Sequence, residues 1–156
     1  MPDATTPDTD HDFHLRMAKS LFNHTWTLLG TDPRTVEQDD EMIHASHASR
    51  HHWSIVGKPV NLARGDWQLA RVYAILGRAE PALYHARRCL EITEHETLGG
   101  FDLAFAHEAL ARASTVAGDV EAATRHLALA REAGDAIADA EDREHFLSEL
   151  ATIPGV

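Results

Sequence analysis

Histidine is the residue with which this chain offers most chemistry, at 12 of 156 positions, and its neutral ring is a common ligand for transition metals. Four of the relevant residues fall in one segment, running from Asp39 to Trp53. On a helix, Asp40, His44, His47 and His51 come within about 60° of one another, opposite a face of Met42, Ala45, Ser49 and Trp53. Imidazoles beside a carboxylate suit Zn, Ni, Cu or Fe better than Ca or Mg. One straight helix readily supplies two ligands, so a tight site needs a donor from elsewhere, for which His24 and His107 are available. The spacing lacks the HExxH order that places a catalytic carboxylate between two ligands. The competing expectation is a polar helix face that is solvated or buried between helices.

A second set is cationic. Asn61, Arg64, Gln68 and Arg71 are spaced i, i+3, i+7 and i+10 and form one stripe of a helix whose other faces, with Leu62, Leu69, Tyr73 and Ala70, are apolar. A row of guanidinium groups suits bidentate capture of a carboxylate or phosphate. The alternative is that Arg64 or Arg71 bridges to Glu108 on a neighbouring helix and serves the packing alone. No G-x-G-x-x-G, P-loop or G-x-S-x-G occurs. The single Cys89 lies mid-helix among Ala86, Leu90 and Ile92, where a small buried residue is expected and not a nucleophile.

Composition bounds what these residues can serve. The 14 Lys+Arg against 25 Asp+Glu give a net charge of −11, which repels phosphate backbones and argues against nucleic acid as a partner. No apolar run is long enough to span a bilayer, and the N-terminus lacks a signal-peptide core. One cysteine excludes an internal disulfide. A cytoplasmic protein without a membrane partner is expected.

The elements that must position these residues are all helical. Residues 1–11 hold Pro, Thr and Asp with little to bury and are expected to form a disordered acidic tail; 12–156 form one domain. Helices are expected over about 12–29, 35–56 and 60–76, then a fourth with Pro81 in its first turn that runs to about 95, then 102–117, 119–133 and 142–151, punctuated by Gly30, Gly57, Gly77, Gly99-Gly100 and Gly118. Displacing the chain by 41 residues superimposes Leu69-Ala70-Arg71 on Leu110-Ala111-Arg112, Gly77 on Gly118, Ala82 on Ala123 and His85 on His126. A fainter copy places Trp26 to Gly30 in the spacing of Tyr73 to Gly77.

Ala70, Tyr73, Gly77 and Ala82, then Ala111, Ser114, Gly118 and Ala123, resemble the tetratricopeptide repeat, with a period of 41 in place of about 34 and Ser114 where an aromatic is usual. The resemblance implies an all-α, right-handed α-solenoid of three helical hairpins, closed by a C-terminal capping helix with Phe146, Leu147 and Leu150. It further implies a concave ligand face on the first helix of each hairpin. The matching positions are Arg64, Trp67, Arg71 and Ile75, then Phe105, Glu108, Arg112 and Val116, with His24 in the first repeat. The expected function is a binding module gripping an acidic peptide, a protein partner or a small anionic ligand in this Arg-lined groove. The alternative is a transition-metal protein or metalloenzyme using His44, His47 and His51, with the arginines orienting an anionic substrate. Exposed repeat ends would also permit a homodimer.

Overall fold

A computed structural model describes residues 9–156 of the chain. Seven helices follow one another: α1 (Asp10–Leu29), α2 (Val36–Val56), α3 (Pro59–Ile75), α4 (Ala79–His95), α5 (Gly100–Ala117), α6 (Val120–Asp135) and α7 (Ala140–Leu150). Among the described residues there is no strand, and no helix is long and apolar enough to cross a membrane.

The helix starts follow from side chains that satisfy otherwise unpaired backbone N–H groups. Thr9 and Asp12 form a reciprocal capping box at α1, and Thr35 with Gln38 does the same at α2. The first of these moves a boundary. Residues 9–11 belong to the cap and first turn of α1 and not to a tail, while the remainder of the expected tail lies outside the described residues. Pro59 opens α3, where its missing N–H costs nothing. Gly77 and Gly118 end α3 and α5 with φ of +72° and +75°, the left-handed conformation that a Cβ disfavours. Gly30 ends α1 at φ −82°, so the first hairpin turns without this device. Arg34 ties that turn instead: it donates to the Thr31 carbonyl at 3.0 Å and to Asp39 at 2.8 Å.

The helices pack chiefly in the consecutive pairs α1/α2, α3/α4 and α5/α6, and α3 also packs on α5. Alanine makes the close approaches possible. Ala70, Ala74, Ala82, Ala86, Ala109 and Ala113 form one core cluster between α3, α4 and α5. The other large cluster closes the C-terminal end, where Phe146, Leu150 and Ile153 bury against Phe105, Ala111 and Ala130. Leu147, expected in this cap, is 40% exposed and stands outside it. Gly134 is what admits Phe146, because a Cβ there would overlap the phenyl ring.

Candidate binding site

The site begins with two i, i+4 aromatic pairs, Phe22 and Trp26 on α1, Phe101 and Phe105 on α5, with Trp67 of α3 between them. Trp26 lies tilted against Trp67 at 5.3 Å between ring centroids, Trp67 meets Phe105 edge-on at 5.3 Å, and Phe101 lies 4.8 Å from Phe105. These rings wall a cavity of about 420 Å³ where α1, α3, α4, α5 and α7 converge. Ala63, Cys89 and Thr93 also line it, and Arg64, Asp102, His145 and Glu149 supply its polar edge. Burial pushes the Cys89 thiol up to about 12, so Cys89 is an inert part of the wall.

Behind the rings lies a buried ionic network centred on Glu108, whose side chain is 1% exposed. The Trp67 indole N–H donates to its Oε2 at 2.8 Å, and Arg112 Nε and Arg71 Nη1 donate to its Oε1 at 2.8 and 3.4 Å. Arg71 also reaches Glu149 on α7 at 3.0 Å, and Arg112 donates to the Thr152 hydroxyl at 2.8 Å. Burial lowers the Arg112 pKa, an effect that Glu108 opposes. Arg64 pairs with Asp102 at 2.8 and 3.3 Å and lies 5.7 Å from the centre of the Phe101 ring. Three guanidinium groups thus meet three carboxylates, so the face read from sequence as basic is charge-balanced.

The two polar residues expected beside the arginines have structural partners. Asn61 caps the start of α3 by accepting from the Lys58 N–H, and buried Gln68 donates to the Phe22 carbonyl, which holds α1 against α3.

The histidine stripe of α2 does not gather. Asp40 and His44 stand exposed on the helix. His47 pairs with the Tyr73 hydroxyl at 2.7 Å, and His51 packs its ring on His52. Of the two outlying donors, His24 bonds to Glu41 at 3.0 Å, and His107 faces His126 with 3.2 Å between their Nδ1 atoms. Among the described residues no three His, Cys, Asp or Glu side chains are placed to hold a metal ion. The physical reason for His47 is competition from a neighbouring helix, whose Tyr73 hydroxyl takes its ring, while His51 turns to His52 beside it. Partial burial lowers the pKa values of His47, His107 and His126. His85, matched to His126 by the repeat, bonds to Asp66 at 2.9 Å.

Trp67, Phe105 and Arg64, expected from sequence to face a ligand, line the cavity. Phe22, Trp26, Phe101 and His145 were not expected there, although the i, i+4 aromatic spacing on α1 and α5 was a usable signal. No family model, curated protein or solved structure matches the chain.

Proposed function

We propose that the protein is a helical-repeat binding module, built as a right-handed solenoid of three hairpins capped by α7, whose recognition site is the aromatic cavity. The observation that carries this reading is the wall of five aromatic rings around an open space of about 420 Å³, within the range of small-ligand sites. In a chain whose core elsewhere is mostly alanine, this concentration of rings beside an unfilled space suits an apolar anchor. The arginines read from sequence as an anion grip fit a supporting role. Arg71 and Arg112 are 11% and 7% exposed and face Glu108, so an anion from solution would compete with a carboxylate already in place. Binding, not turnover, is the activity proposed.

The test is titration of the protein with cyclohexanol, followed by the indole N–H signals of Trp26, Trp67 and Trp53 in NMR spectra. Saturable shifts of Trp26 and Trp67, with Trp53 on α2 unmoved, are expected, and Phe101→Ala should weaken them. If neither cavity tryptophan responds at millimolar probe, the cavity is not a binding site.

A further inference from the structure

Arg64 differs from the other two arginines of the network in one respect: its side chain is 51% exposed. It lies at the mouth of the cavity, held by Asp102 on one side and by the face of Phe101 on the other. A carboxylate with an aromatic face is the pairing that holds an organic cation, since the ring quadrupole and the anion attract the same charge. Arg64 occupies that position from within the chain. Asp102 itself is 13% exposed and lines the cavity, so a cation that replaces Arg64 would meet its carboxylate there. Lifting Arg64 away would leave Asp102 uncompensated beside rings, while Arg71 and Arg112 would remain with Glu108 and Glu149. The chain's net charge of −11 adds a long-range attraction for cations and a repulsion for anions.

We propose that Arg64 is a removable internal cation and that the ligand of the cavity is a small organic ammonium compound with an apolar body, which displaces Arg64 from Asp102 and Phe101. This rests on the reading of the cavity as a binding site and adds the charge of its ligand. The apolar body enters among Trp26, Trp67 and Phe105, and the ammonium group takes the place between Asp102 and the Phe101 ring. A cavity of this volume with a narrow charged edge fits a small molecule better than a peptide backbone. The exposed half of Arg64 has solvent into which its flexible stem can swing.

Three probes with one apolar body separate the possibilities: cyclohexylamine, cyclohexanol and cyclohexanecarboxylate, titrated at pH 7 against the cavity tryptophan signals. Cyclohexylamine should bind about tenfold more tightly than cyclohexanol, and the carboxylate most weakly. In Arg64→Ala the amine should gain several-fold in affinity with little change for the alcohol, because an internal competitor has gone. In Asp102→Asn the amine's advantage should vanish. Both variants alter side chains at the rim, and unchanged circular dichroism would show that each still folds. Equal binding of all three probes would overturn the proposed ligand charge and leave the cavity reading in place. Preference for the carboxylate, lost in Arg64→Ala, would also overturn it, with Arg64 then an anion receptor. Tighter binding of Nα-acetyl-lysine amide than of cyclohexylamine by more than tenfold would overturn the small-molecule form in favour of a partner's side chain. Absence of any response from Trp26 and Trp67 would overturn the cavity reading and this proposal together.

Discussion

Trp67 donates its indole hydrogen to Glu108 at 2.8 Å, and the two residues stand 41 apart in the chain, the displacement that superimposes the sequence on itself. Arg71 and Arg112 are related in the same way, and both bond to that one carboxylate. Two pairs of residues at this spacing therefore carry three chemistries that depend on one another: a ring that walls the cavity, an acid that fixes the ring, and arginines that neutralise the acid.

Removing the acid should be costly. Glu108→Gln keeps the shape but leaves Arg71 and Arg112 short of a buried counter-charge, which costs about 3 to 5 kcal/mol when one partner of a buried pair is lost. Arg64→Ala breaks a pair whose arginine is half exposed, and should cost less than about 1 kcal/mol. Urea denaturation of the two variants checks the contrast. Equal, small losses would show that the network contributes little to holding α3, α5 and α7 together.

Gly77 and Gly118 resist substitution for one reason and Gly134 for another. At Gly77 and Gly118 a Cβ would meet nothing within 4 Å, so only the positive φ opposes substitution, and Gly→Val should cost on the order of 1 to 2 kcal/mol. At Gly134 the backbone is helical but a Cβ would overlap Phe146, so Gly134→Ala forces the cap outward and should cost on the order of 1 to 3 kcal/mol. Thermal denaturation ranks them. A neutral Gly134→Ala would mean that Phe146 is not seated as described.

Stability should fall in mild acid. His47, His107 and His126 have folded pKa values below the ordinary 6.5, each chiefly because burial disfavours the charged ring. Near and below pH 6.5 the unfolded chain therefore binds more protons than the folded one. Their contribution is fully present above pH 6.5 and is lost as the pH falls below it through the lowered folded values. The Nδ1 pairing of His107 with His126 needs at least one neutral ring. Urea midpoints from pH 8 to 5 should decline, and the His107→Gln, His126→Gln double variant should flatten the decline. A midpoint that rises towards pH 5 would contradict this.

Cys89 should be silent while the protein is folded. Its thiol is pushed up to about 12 and buried, so a thiol-reactive disulfide reagent at pH 8 should label it only at the rate of unfolding. Immediate labelling of native protein would mean that the cavity wall opens at Cys89.

The helix ends were legible in the sequence where glycine marks them, as Gly77 and Gly118 do at left-handed turns, whereas Thr35 as a cap and Pro59 as a helix start shift the expected beginnings of α2 and α3 by one residue. The equivalence of Arg71 with Arg112 was legible from the repeat. Glu108 was also legible as a bridging partner for Arg71, and it holds both arginines, whereas Arg64, the other arginine weighed for it, pairs with Asp102. Glu149 and His145 were invisible as site residues because α7 has no counterpart in the repeat, so nothing in the period places it beside α3. The histidines of α2 misled for a related reason. A helical wheel shows which rings share a face, yet Tyr73 on α3 decides where His47 points.

The central claim is that the space among Phe22, Trp26, Trp67, Phe101 and Phe105 receives an apolar ligand. Diffraction from crystals of the full chain soaked in cyclohexanol tests it most directly. The account predicts density for one ring seated against Trp26 and Trp67, with the Trp67 to Glu108 hydrogen bond retained. A cavity closed by its own side chains, or filled only by water at saturating probe, would contradict it.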